Sequence, residues 1–318
     1  MGDAFDPTIK PHYPFDALED ARALRAAMKG FGTDEDAIID VLTKRCAGQR
    51  MEIETEFKNE FGRDLIKDLK SELGGKFEKL ILALMEPYYD YLAKELNNAM
   101  AKIGTNEDVL TEVLCTRGNA EIALINEAYG RLFGKSLEDD ISSEVSGHYK
   151  RLLVMLLTCS RNEHVVEPEL AADMAGSLYD AGEGTLGTDE EAFTTLLAHH
   201  SFYQLKMVFD EYEKLSGKTF QQAAESELSG DLKEAVLTIA RRTESLPRYF
   251  AERLKDAMKG AGTDEAALIR IIVSRSEIDL AAIKKEYMAL YHKTLESAIK
   301  AETGGDFEKA LLSILEGN

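Results

Sequence analysis

Leu18, Ala21, Leu24 and Met28 recur at spacings of three and four, and Ile38, Ile39, Val41 and Leu42 form a second apolar face shortly after. That period sets one stripe of each stretch against a core and predicts helices over about 17–28, 34–45, 50–61, 64–72 and 76–85. The β-branched alternation of strands is missing. The predicted fold class is all-α. Thr33, Thr105 and Thr188 each precede an acid by three residues (Asp36, Asp108, Glu191), which predicts threonine N-caps in a capping box; Thr263 is followed by Ala266 and lacks the reciprocal partner.

The helical pattern repeats. Gly32-Thr33-Asp34-Glu35, Gly104-Thr105-Asn106-Glu107, Gly187-Thr188-Asp189-Glu190 and Gly262-Thr263-Asp264-Glu265 are separated by 72, 83 and 75 residues. Thirteen residues past each anchor glycine stand Arg45, Arg117, His200 and Arg275, and twenty-five past it Phe57, Tyr129, Tyr212 and Tyr287. Forty past it stand Glu72, Glu144, Glu227 and Glu302, with Gly75, Gly147, Gly230 and Gly305 three residues later. Offsets held four times define four homologous segments, at 17–86, 89–158, 172–241 and 247–316, behind a tail of residues 1–16. Each segment is expected to hold five helices.

Composition narrows the function. A hydrophobic fraction of 44% and a charged fraction of 30% are those of an ordinary globular chain. The net charge of −20 argues against nucleic acid, and against an anionic bilayer unless a cation bridges the two. Cys46, Cys115 and Cys159 are odd in number and widely spaced, which points to a reducing cytoplasm rather than a disulfide framework. The longest apolar stretch, Leu152 to Cys159, is far short of the roughly 20 residues of a spanning helix. There is no apolar signal core, and Asp6 stands where the myristoylation pattern requires Ser or Thr. A cytoplasmic protein that touches membranes only peripherally is the expectation.

A glycine turn alone could simply reverse the chain between helices. A glutamate at one fixed later distance in every copy asks for more. Calcium takes six to eight hard oxygens, backbone carbonyls and carboxylates included. A tight loop turns the carbonyls of Met28, Gly30 and Gly32 inward, and Glu72 closes the shell if its helix ends beside the loop. One carboxylate per site implies an affinity of roughly 10⁻⁴–10⁻³ M, with positions left for a lipid phosphate oxygen. Phe31, Ile103, Leu186 and Ala261 stand at the loop tips as candidate lipid contacts, or as side chains folded back on the helices.

Four segments of this length, each opening with a K-G-x-G-T-D-E-like turn and carrying an acid forty residues past the glycine, resemble the annexins over nearly the whole chain, with a short tail like that of invertebrate members. The resemblance implies a curved all-α disc of four five-helix repeats with calcium loops on its convex face. It implies reversible calcium-dependent binding to anionic phospholipid of the phosphatidylserine type; separately, the sequence holds no GxSxG nucleophile elbow and no Cys with an evident partner motif, so no enzymatic activity is expected. Carried over by position, calcium would be held by Met28, Gly30, Gly32 and Glu72 in the first repeat and by Met258, Gly260, Gly262 and Glu302 in the fourth. The third-segment loop "GEGTLGT" is similar to the family's longer variant and implies Gly182, Thr185 and Gly187 with Glu227. The second departs, with Lys102 in a glycine slot, and retains Gly104 and Glu144. Accessory metal positions would fall at Thr33 and Glu35. Glu112, Arg117 and Arg270 resemble the charged residues at the hydrophilic centre of the family's discs, an ion pathway or a structural network.

Other motifs read as structure. "GRLFGKS" at Gly130 to Ser136 lacks the glycine spacing of a P-loop and shares its offset with "FGRDL", "SGKTF" and "YHKTL", so it is a helix-to-helix turn. No EF-hand run is present. His199 and His200 are adjacent on a predicted helix and so point about 100° apart. Pro7, Pro11 and Pro14 give the tail an extended course, a strap or a site for a protein partner, and self-association on the membrane is a further partner expectation.

Overall fold

The computed structural model describes residues 5–30, 32–101, 104–184, 187–260 and 262–318. These form twenty α-helices and one short 3-10 turn at Pro168–Leu170, and no strand is present among the described residues. The first segment supplies α1 (Ala17–Ala27), α2 (Glu35–Leu42), α3 (Ala47–Phe61), α4 (Leu65–Glu72) and α5 (Gly75–Met85). The second supplies α6 (Tyr88–Met100), α7 (Glu107–Cys115), α8 (Asn119–Phe133), α9 (Leu137–Glu144) and α10 (Gly147–Leu157). The third supplies α11 (Ala171–Ala181), α12 (Glu190–His199), α13 (Phe202–Ser216), α14 (Phe220–Glu227) and α15 (Gly230–Glu244). The fourth supplies α16 (Leu246–Ala257), α17 (Glu265–Arg275), α18 (Leu280–Tyr291), α19 (Leu295–Glu302) and α20 (Gly305–Glu316).

The helices gather into two compact units. One joins residues 1–88 to 250–318, and the other is the continuous stretch 89–249. In the first unit α1 packs on α3, α2 on α20 and α5 on α17, so the first and fourth segments share one core. Ion pairs run both ways across it, from Lys309 to Asp36 at 2.8 Å and from Lys76 to Glu265. In the second unit α7 packs on α15 and α10 on α12, with Arg151 bound to Glu191. Phe57, Tyr129, Tyr212 and Tyr287, the residues twenty-five past each anchor, are all buried. Removing such a ring from water contributes about 1.5–3 kcal/mol.

Boundaries follow the caps. The third helix of the first segment begins at Ala47 rather than near 50, because the Gln49 side chain accepts from the Cys46 N–H at 3.3 Å and closes the first turn early. The same buried amide holds the tail: Gln49 accepts from the His12 N–H at 2.9 Å and donates to the His12 carbonyl at 2.8 Å. Gln204, its counterpart in the third segment, grips Glu167 of the linker in the same two-sided way, at 2.7 and 3.0 Å.

The turn containing Gly134 is the end of α8, with Gly134 at φ 65° in the left-handed region, and Gly62, Gly217 and His292 close α3, α13 and α18 alike. This excludes a phosphate loop there. Arg45 ties α1 to the end of α2 through both oxygens of Asp20, at 2.7 and 2.9 Å. Arg275 pairs with Asp279 four residues on at 2.7 Å, and Arg117, just past the end of α7, donates back to the carbonyls of Glu112 and Val113 in that helix. The arginine slot is therefore structural: Arg45 reaches back to the first helix of its own segment by an ion pair, and Arg275 by stacking its guanidinium 4.8 Å over the Phe250 ring of α16.

Candidate metal centres

Each candidate loop connects the first and second helices of a segment and is closed at its base by one backbone hydrogen bond. Asp34 donates to Ala27 at 2.9 Å, Asn106 to Ala99 at 2.9 Å, Asp189 to Ala181 at 2.7 Å and Asp264 to Ala257 at 2.8 Å. The closing residue is also the N-cap: Asp34, Asn106, Asp189 and Asp264 accept from the backbone N–H three residues on, at 3.0 to 3.3 Å. This corrects the expected threonine caps. A side chain one residue nearer the helix takes the N–H, because Asp and Asn accept more readily than Thr, and the threonine hydroxyl is left for other work.

That work is to reach the distant acid. Thr33 donates to the Glu72 carboxylate at 3.1 Å, Thr105 to that of Glu144 at 3.2 Å and Thr188 to that of Glu227 at 3.0 Å. In the fourth segment Thr263 donates instead to the main-chain carbonyl of Glu302, at 3.3 Å. The four acids are the last residues of α4, α9, α14 and α19. A carboxylate there faces the negative end of the helix dipole, an unfavourable place by several tenths of a kcal/mol. Holding an acid against that cost in all four segments is intelligible if a cation is to meet it.

The loop backbone has matching character. Gly30 and Gly32 take φ of 121° and 89°, conformations that side-chain-bearing residues rarely adopt, and Gly260 and Gly262 do the same at 97° and 147°. Met28 and Met258 have buried side chains and stand at the C-terminal ends of α1 and α16, where helix carbonyls lack intrahelical partners. Gly104 and Gly187 share the left-handed backbone, at 85° and 96°. Gly182 caps α11, and a Cβ built on it would come 3.3 Å from the Glu227 side chain, so loop and acid are in contact. Glu35 is half-buried in the first turn of α2; its fourth-segment counterpart Glu265 is held by Lys76, a hydrogen bond that keeps its carboxyl below the usual range. Phe31, Ile103, Leu186, Ala261, Lys102 and Thr185 lie outside the described residues.

Among the described residues no group of three or more His, Cys, Asp or Glu side chains could hold a metal, so a site built from side chains alone is not formed there. A cap carboxylate with main-chain oxygens would make a hard donor set, one that suits calcium rather than zinc or copper. His199 bonds the carbonyl of Thr195 at 2.8 Å, and burial holds the His200 imidazole below its ordinary pKa; the pair is part of the helix end. The pairing of threonine with distant glutamate is the contact at the loops that reasoning from sequence missed. The shared offset of Thr33 and Glu72 was the available signal.

The annexin family model matches residues 19–84, 91–156, 174–239 and 249–314. Annexin B10 of Drosophila melanogaster is 51% identical over 312 residues, covering 97% of each chain. The solved structure of annexin III superposes with a TM-score of 0.96 at 42% identity, covering 99% of this chain and 98% of that one. Calcium-bound annexin (Sm)1 gives 0.88 at 34% identity, covering 99% and 94%. Four matched repeats and a relative more than half identical over nearly the whole length leave one conclusion: the chain belongs to the annexin family, whose members generally bind phospholipid membranes with calcium.

Proposed function

We propose that this protein docks reversibly on anionic phospholipid membranes when calcium rises, each of the segments 17–86, 89–158, 172–241 and 247–316 acting as one module. The carbonyls of Met28, Gly30 and Gly32 with the Glu72 carboxylate would hold one ion, and those of Met258, Gly260 and Gly262 with Glu302 another. Gly182, Thr185 and Gly187 with Glu227 would hold a third, and Gly104 with Glu144 a weaker one beside Lys102. Calcium supplies the positive charge and the open coordination positions that a lipid phosphate oxygen takes up. A chain of net charge −20 gains access to a phosphatidylserine-type surface only through such a bridge.

The observation that carries this reading is the hydrogen bond, in the first three segments, from the loop threonine to the cap glutamate, which holds a carboxylate at a glycine-lined loop. Each site alone is weak, on the order of 10⁻⁴–10⁻³ M, so firm attachment comes from several loops engaging one surface together. No described helix is long and apolar enough to cross a membrane, consistent with contact from one side. Co-sedimentation with phosphatidylserine vesicles tests it. Pelleting in calcium and release by chelator are expected, and pelleting that survives chelation at neutral pH would overturn it.

A further inference from the structure

In the second segment one carboxylate serves two neighbours. Asp140 accepts from the Tyr129 hydroxyl at 2.6 Å and lies 3.6 Å from the Lys135 ammonium. In the first segment Asp68 binds Arg63 in the same slots, at 2.6 and 2.7 Å. The third segment has Ala223 there, fully buried. Losing the carboxylate leaves two polar groups behind. The Tyr212 hydroxyl is buried and has no hydrogen-bond partner. Lys218, at the offset of Arg63 and Lys135, pairs instead with Glu183.

Glu183 lies in a loop that differs from the others. The closing hydrogen bond joins Asp34 to Ala27 but Asp189 to Ala181, which makes the third loop one residue longer. The Glu183 side chain is only 14% exposed. Its neighbour Gly182 lies beside the stem of Glu227, close enough that an added Cβ would stand 3.3 Å from it, so this loop carries a second acid next to the cap glutamate where the other loops carry none. Lys218 feels both, bonding Glu183 and sensing Glu227. Tyr212 also feels both: burial above all, then Glu183 and Glu227, push its hydroxyl up to about 12. A buried hydroxyl left without a partner is costly unless a second arrangement gives it an acceptor.

We propose that the third loop is a two-carboxylate calcium site, in which Glu183 joins Glu227 as a ligand and the Lys218 ammonium is the resident cation that calcium displaces. The inference rests on the reading of the loops as calcium sites. Without metal, the ammonium offsets the repulsion between the two acids. A divalent ion does this better, and Lys218, whose side chain is 53% exposed, can turn into water. The fourth segment sharpens the contrast, since Ala298 also replaces the aspartate there but Lys259 and Gly260 stand in its loop and no second acid does.

The test isolates this loop in the full-length E72Q/E144Q/E302Q chain and follows Tb3+ luminescence sensitised by Tyr179 and Tyr212, whose rings lie 6.4 Å apart, with Ca2+ as competitor. The background chain should bind, and E227Q added to it should abolish binding. Adding E183Q should weaken Ca2+ by about ten-fold, a decade of the range set by ligand charge, while K218M should tighten it several-fold with an unchanged melting temperature. Tightening by both variants would make the pair only a latch and overturn the proposal, as would no change in either. A background chain that binds neither ion would overturn the loop reading itself, a result distinguishable from the other two.

Discussion

The Thr33 hydroxyl donates to the Glu72 carboxylate at 3.1 Å across 39 residues of sequence, and it does so from the loop that Glu72 would help close around an ion. The bond leaves the other carboxylate oxygen and the remaining lone pairs free, so it orients the acid without consuming it. Thr33→Val should therefore raise the calcium needed for vesicle binding at the first site by roughly five-fold, the equivalent of about 1 kcal/mol for one exchanged hydrogen bond. An effect as large as that of Glu72→Gln would show the hydroxyl to be a ligand rather than an orienting group.

Removing a cap carboxylate should cost more. Glu72→Gln and Glu302→Gln are each expected to weaken calcium at their own site by about ten-fold, and Glu144→Gln to matter less because Lys102 already puts an ammonium in that loop. Calcium titrations of vesicle co-sedimentation read this directly. Equal effects at all three positions would refute the ranking.

His292 closes α18 at φ 53°, where the corresponding residues of the other segments are Gly62, Gly134 and Gly217. A residue with a Cβ is strained there by about 1–2 kcal/mol. Allowing for the extra freedom glycine gives the unfolded chain, His292→Gly should stabilise the fold by about 0.5–1 kcal/mol in a denaturant titration, with the slope unchanged.

Burial pushes the Cys115 thiol up to about 12, so at pH 8 it stays protonated as well as shielded. A thiol-specific reagent at that pH should modify the half-buried Cys46 and Cys159 first and reach Cys115 only as the protein unfolds, as peptide mapping of the labelled chain would show. Early labelling of Cys115 would mean that α7 opens locally in the native state.

Much of the fold was legible because a helical period repeats the core. The offsets that align Phe57, Tyr129, Tyr212 and Tyr287 in sequence align four buried rings in space. The N-caps were misassigned by one residue, since Thr33 and Asp34 both suit a cap and sequence does not say which of two adjacent oxygens meets the helix. The start of α3 was hidden for a related reason: it depends on Gln49, whose amide acts both on its own helix and on His12, a contact made only in three dimensions. That the four glutamates lie against the loops was legible from their constant distance to the glycines. Glu183 was not, because its partner Lys218 is released by an absence, the missing aspartate at Ala223.

The division of the chain carries a consequence for its birth on the ribosome. Residues 89–249 form one unit from a single uninterrupted stretch, so the polypeptide for that body is complete well before synthesis ends. The other unit needs both extremities: α5 rests on α17, and Thr8 and Lys10 bond Asn318. Its opening helices emerge first and must wait through the synthesis of the whole middle, their apolar faces uncovered, for the last helices to arrive. A nascent chain of this kind matures from the centre outward, and the helices most in need of a chaperone's shelter are those made ahead of that centre.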